Sequence, residues 1–103
     1  MLLIAPYRKQ IAALCIKHQV SFLAVFGSVA KGTMTATSDV DMVVRFHNVA
    51  LDDYFSNYMS LKEELEKLLE RKVDLVEDVA VKNPIFRKIL DRDMKTVYER
   101  TAA

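Results

Sequence analysis

One cysteine, two glycines, two prolines and no tryptophan are found among 103 residues. The single thiol, Cys15, cannot close an internal disulfide, so the fold must rest on a packed core, and a reducing, cytoplasmic setting is expected. Missing too is any apolar run approaching the roughly 20 residues of a membrane span. The opening Met1-Leu2-Leu3-Ile4-Ala5-Pro6 is too short, and too soon broken by proline, to read as a signal peptide. Neither sign of charge dominates, with 15 basic residues against 14 acidic. That balance argues against sequence-wide attraction to nucleic acid or to an anionic membrane, and neither is expected as a partner. What the chain does have is hydrophobic content, 51%, enough to fill one core. Its length gives room for a single domain, expected over 1–103, without a second unit to select a substrate.

Periodicity divides the chain into alternating helices and strands. Pro6 suits a first helical turn, and Tyr7, Ile11, Leu14 and His18 recur at helical spacing, predicting a helix to about Lys17 with Cys15 packed on it. Phe22-Leu23-Ala24-Val25-Phe26 is a short apolar run ended by Gly27, which fits a buried strand. A helical turn over Ser28 to Lys31 and a polar loop over Gly32 to Ser38 follow. Asp39 to Val44 reads as the second strand. Leu51, Tyr54, Phe55, Tyr58, Leu61, Leu65, Leu68 and Leu69 recur every three or four residues opposite Lys62, Glu63, Glu66 and Lys67, predicting the longest helix. Lys72 to Val76 is a third strand, and Asn83-Pro84 offers an N-cap and first-turn proline for a last helix running to about Leu90. Thr96-Val97-Tyr98 adds a candidate edge strand. This order predicts an α/β (α+β) sandwich.

Average usage would supply about seven glycines in a chain of this length. The two present both fall in Gly27-Ser28-Val29-Ala30-Lys31-Gly32. A glycine between a strand and a helical turn lets a phosphate approach the backbone, where free N–H groups favour negative charge, and Ser28 adds a hydroxyl donor. A tight strand-to-helix turn would need the same glycine, so the pair alone decides little. More informative is Asp39-Val40-Asp41, since alternate residues of a strand share a face, which sets two carboxylates about 6 to 7 Å apart along the backbone. Among the apolar Val40, Met42, Val43 and Val44 these charges call for cations. Mg²⁺ takes oxygen ligands from one or two carboxylates plus substrate phosphates, and two metals together can clamp the attacking and leaving oxygens of a phosphoryl transfer. Asp74, between Val73 and Leu75, is the natural third carboxylate. Taken singly, Asp39 also fits a turn residue, and Asp74 a salt bridge with Arg71 or Lys72.

Gly27-Ser28, Lys31-Gly32, Ser38-Asp39-Val40-Asp41 and Val73-Asp74-Leu75 together resemble the polymerase-β-like nucleotidyltransferase superfamily, in particular its minimal members, the MNT (MntA-type) antitoxins of HEPN/MNT toxin–antitoxin pairs. The resemblance covers most of the chain and extends through Asn83-Pro84-Ile85 to Val97-Tyr98-Glu99. It implies a short mixed sheet of three to four strands packed against helices. The implied activity is transfer of AMP from ATP to an acceptor hydroxyl, with pyrophosphate leaving. By matching positions, Gly27 and Ser28 hold the triphosphate, with Lys31 and Ser38 beside them. Asp39 and Asp41 ligate Mg²⁺, two ions being expected, and Asp74 completes the metal site near the acceptor and helps deprotonate it. Lys31 departs from the pattern, since many relatives carry arginine there, and lysine keeps the charge without the bidentate fork. The implied acceptor is a tyrosine of a HEPN ribonuclease toxin encoded nearby, held in a hetero-oligomer and silenced by the modification. Two other readings share these residues: an antitoxin acting by occlusion alone, and a small-molecule nucleotidyltransferase of the aminoglycoside-modifying kind.

Other residues have plainer readings. His18 and His47 lack partners at metal-ligand spacing and are expected on the surface or satisfied in the core. Asp52 and Asp53 suit the first turn of the long helix. Arg87, Lys88, Arg92 and Lys95 read as a solvated face that is also able to meet an acidic partner or RNA. Tyr54, Phe55 and Tyr58 lie at core-facing spacing, though three aromatics in five residues can leave one for a protein interface.

Overall fold

The computed structural model describes residues 3–35 and 37–100; Met1-Leu2, and Ala36 of the predicted loop, lie outside them. A 3-10 turn at Ala5–Tyr7 containing Pro6 leads into α1 (Arg8–Lys17). Then come β1 (Val20–Phe26), α2 (Gly27–Lys31), β2 (Val40–Phe46), α3 (Leu51–Leu69) and β3 (Val73–Glu77). A second 3-10 turn (Asp78–Ala80), α4 (Pro84–Asp93) and β4 (Lys95–Glu99) complete the order. The four strands form one sheet in the order β3-β2-β1-β4. β1 runs antiparallel to both β2 and β4, while β2 and β3 are parallel. Parallel neighbours require a crossover, which α3 supplies.

β1 and β2 are central and covered on both faces, which explains why they read as nearly continuous apolar runs rather than alternating ones. Successive side chains point to opposite faces. Leu23, Val25, Val40, Met42, Val44, Val73 and Leu75 meet Ile11 and Cys15 of α1 and Leu61, Leu65 and Leu69 of α3 in the main core. Burial pushes the Cys15 thiol up to about 12, so it behaves as an apolar packing group. On the other face Phe22, Ala24 and Val43 pack against Leu90 of α4 in a smaller cluster. That second face is only partly roofed.

Local chemistry sets the boundaries. Asn83 caps α4, its Oδ1 accepting from the N–H groups of Ile85 at 2.9 Å and Phe86 at 3.1 Å, with Pro84 in the first turn. Asp52 and Asp53 occupy the first turn of α3 as expected. His18 is a satisfied core residue, 4% exposed, its ring nitrogens meeting the Leu14 carbonyl at 2.8 Å and the Glu64 carboxylate at 3.0 Å. The predicted edge strand forms as β4. No described helix is long and apolar enough to cross a membrane.

Four expectations need correction. β2 begins at Val40, not Asp39, because β3 pairing starts at Val40↔Val73, with the Val40 N–H donating to the Lys72 carbonyl. α4 runs on to Asp93, three residues past the expected end. Leu51 and Phe55 share the spacing of the core face yet are 89% and 73% exposed, since the apolar residues that α3 buries, Leu61, Leu65 and Leu69, all lie in its second half. Tyr54 and Tyr58 are half-buried, their hydroxyls donating to Glu77 Oε2 at 2.8 Å and to the Leu75 carbonyl. Lastly, Arg87 is no free surface cation: it bridges Asp78 and Asp91 at 2.8 Å each, and Arg45 of β2 reaches Asp78 from the other side at 3.0 Å. That network fastens α4 to the sheet through the second 3-10 turn.

The contrast within α3 is measurable. Leu65→Ala should cost about 2–5 kcal/mol of stability, as buried leucine truncations do, whereas Phe55→Ala should change it by no more than about 0.5 kcal/mol. Urea unfolding followed by circular dichroism would distinguish them.

Candidate active site

Strand register assembles the site. Phe26 at the end of β1 pairs with Asp41 of β2, and Asp41 pairs with Asp74 of β3. Residues in register share a face, so Phe26, Asp41 and Asp74 form a row across the sheet on the partly roofed side. Two carboxylates from segments more than thirty residues apart thus stand side by side. Asp39 lies one residue before the strand, at its mouth and exposed.

Gly27 follows Phe26 directly, and two observations explain why it is glycine. Its φ is +63°, in the left-handed region. A side chain there would also collide with Asp41: a Cβ would overlap carboxylate Oδ2 and lie 3.3 Å from the carboxyl carbon. The missing side chain therefore lets the Asp41 carboxylate pack directly against the backbone of the turn. Gly32 has a different task. A Cβ there would meet nothing within 4 Å, and its φ of +73° ends α2.

Ser28 is half-buried in α2, its carbonyl accepting from the Thr33 N–H at 2.9 Å. As α2 has five residues, its dipole is small, and affinity for an anion at this turn comes from local N–H groups and the Ser28 hydroxyl. Lys31 reaches across to Asp93 of α4 at 3.8 Å, with its side chain 56% exposed. The Ser38 hydroxyl folds back into its own loop, accepting from the Thr35 N–H at 2.9 Å. Two contributors have no motif to announce them. Arg71, after α3, donates to the carbonyls of Thr35 and Ser38 at 3.0 and 3.3 Å and so holds the loop that delivers Asp39. Phe86 of α4 packs edge-on against Phe26 with ring centroids 6.0 Å apart, bringing α4 to the rim of the row.

Burial raises the Asp41 pKa above its ordinary 3.8, and the negative charges of Asp74 and Asp39 raise it further. The residues fit a hard divalent cation: carboxylates of adjacent strands stand side by side, and among the described residues Asp41 has no cationic partner. Among the described residues, no three acidic, cysteine or histidine side chains close around one point. An ion held here would draw further ligands from phosphate and water, as Mg²⁺ commonly does.

For a carboxylate, a raised native pKa means that ionisation costs stability. The penalty is absent below 3.8, where folded and unfolded forms are both protonated; it grows as pH rises through the native value and is complete above it. Asp41→Asn should therefore raise the Tm of the metal-free protein at pH 7, a gain that shrinks as pH falls towards 4 in thermal melts. Gly27→Ala should act in the opposite sense, lowering Tm and weakening nucleotide binding at least tenfold by isothermal titration.

Comparison with known proteins agrees with this geometry. The family described as "Polymerase beta, Nucleotidyltransferase" matches residues 9–103. A candidate protein adenylyltransferase of Methanocaldococcus jannaschii is 39% identical over 89 residues, 84% of this chain and 86% of the relative. The structure of a candidate minimal nucleotidyltransferase superposes with a TM-score of 0.75 at 30% identity, over 89% of this chain and 90% of that one. A tri-AMPylated Shewanella oneidensis HEPN toxin in complex with MNT antitoxin supplies another match, with a TM-score of 0.64 at 16% identity, covering 93% of this chain and 72% of that chain; at that identity the likeness is one of fold. Sequence, sheet order and the carboxylate row lead to one conclusion: the chain belongs to the polymerase-β nucleotidyltransferase family, among its minimal MntA-type members.

Proposed function

We propose that this chain transfers AMP from ATP to a tyrosine hydroxyl of a cognate HEPN ribonuclease toxin and so neutralises it. The observation that carries this reading is the register row, which sets Asp41 against Asp74 with the Gly27 backbone close beside Asp41. The relative's name, protein adenylyltransferase, supports a protein acceptor, and the S. oneidensis antitoxin of the same fold occurs with an AMPylated HEPN toxin. The setting is cytoplasmic, where ATP and the RNA targets of such a toxin are found.

Each residue has a role. The Gly27 turn and Ser28 hydroxyl bind the β- and γ-phosphates, with Lys31 able to swing from Asp93 to the phosphate. Asp39, Asp41 and Asp74 would hold two Mg²⁺, and Ser38 shapes the loop before them. Bound Mg²⁺ supplies charge neutralisation at the phosphates. Asp74, at the open end of the row, accepts the tyrosine proton. The phenolate oxygen then bonds to the α-phosphorus as its bond to pyrophosphate breaks.

Incubating the protein with ATP, Mg²⁺ and the HEPN protein encoded beside it should add AMP to that protein, seen by intact mass spectrometry. The Asp39→Asn, Asp41→Asn double variant should add none. No adduct with the wild type would refute the enzymatic reading. A second reading, neutralisation by occlusion, is favoured by the exposed apolar side chains Phe55 and Ile85; it prevails if the double variant still protects cells from the toxin.

A further inference from the structure

Beyond the active site, the outer flank of α4 stands out. Pro84, Ile85, Lys88, Ile89 and Arg92 line a groove of about 600 Å³. They recur at i, i+1, i+4, i+5 and i+8, one stripe of a helix. Leu90 on the opposite flank is buried against the sheet, and on a third flank Arg87 pairs with both Asp91 and Asp78. The stripe is left facing outward, with Ile85 72% and Ile89 41% exposed. Its floor is apolar and its rim carries Lys88 and Arg92, the latter paired with its neighbour Asp93 at 2.9 Å.

We propose that this stripe is the docking ledge for the acceptor protein, and that the acceptor segment seated on it is an acidic one with apolar anchors. This rests on the adenylylation reading above. An acceptor must touch the rim of the cleft while its hydroxyl reaches the row, and α4 borders that rim: Phe86 packs on Phe26, the register partner of Asp41, and Asp93 meets Lys31 of α2. The other exposed apolar pair, Leu51 and Phe55, does not. It sits at the start of α3, whose other end reaches the site strands where Glu66 accepts from the Val73 N–H at 2.9 Å. At about 1.5 Å per residue, Phe55 lies about 16 Å back along the axis from Glu66, and α3 covers the face opposite the carboxylates. Charge selects the occupant. Lys88 stands beside the isoleucines without a salt-bridge partner among the described residues, while Arg92 is held by Asp93 at 2.9 Å and can share its remaining N–H groups. Apolar anchors bearing Asp or Glu therefore gain both burial and attraction.

The test measures affinity for the HEPN protein separately from chemistry. Lys88→Glu with Arg92→Glu should weaken binding to it at least tenfold, by titration without nucleotide, and raise its KM in AMP transfer by a similar factor. The KM for ATP and kcat should stay within twofold. Ile89→Asp should act in the same direction, Phe55→Ser should not, and the wild-type complex should weaken with salt more steeply than the charge-reversed one. Unchanged affinity in both α4 variants, or equal loss with Phe55→Ser, overturns the proposal. So does a change in the self-association of this chain, seen by sedimentation, with binding to the HEPN protein intact. Circular dichroism and thermal melts on each variant guard against misfolding, and both α4 variants alter exposed positions. Failure of the wild type to transfer AMP would refute the adenylylation reading, while the binding arm would still decide the ledge.

Discussion

Everything at the site depends on the close approach between the Asp41 carboxylate and the backbone at Gly27. The strand pairing Phe26↔Asp41 fixes it, and the left-handed φ of Gly27 turns the chain so that no side chain fills the space. The contact offers the carboxylate no opposite charge, and its pKa is raised by burial and by the charges of Asp74 and Asp39. On the proposed reading, Asp41 would hold a metal ion beside this turn, and the ion would supply the positive charge that the carboxylate lacks. The strand pairing and the turn by themselves hold the carboxylate in this position.

Holding it there has a cost that the core must offset. Asp41 is half-buried beside two like charges, and its raised pKa records the strain of keeping all three ionised. Opposite the cleft the protein is packed without compromise: Leu23, Val25, Met42, Leu61 and Leu65 are fully buried. Stability is thus concentrated on the α1/α3 face and instability on the catalytic face, a division often seen where activity needs a destabilised site.

Much of this was legible in the sequence. The Gly-Ser turn, Asp41 on its strand and the third acidic strand could be read because strand alternation and glycine's backbone freedom are local properties, whereas Asp39 falls just before β2, where alternation does not reach. Asn83-Pro84 was readable for the same reason. Register was not, because Phe26 meets Asp41 only when the strands pair across a turn and a loop, and nothing in either segment fixes that alignment alone. Arg71 reads in the sequence only as a salt-bridge partner for Asp74; its hold on the Thr35 and Ser38 carbonyls was not legible, since any residue offers a carbonyl. Phe55 was misjudged because periodicity reports which way a side chain faces along a helix, not whether anything lies opposite it.

The parallel pairing of β2 with β3 gives the turn after α3 an influence out of proportion to its size. Glu70 bends the chain there with a φ of +54°, and Glu66 receives the first N–H of β3. Between them they set whether Asp74 falls on an odd or an even count from the helix. Slipping β3 by one residue would turn Asp74 under α3 and bring Val73 or Leu75 into the cleft; slipping it by two would restore a side chain of the correct parity. Length changes in this turn are therefore subject to an arithmetic of parity: the chain could tolerate them as a fold and still lose its third carboxylate.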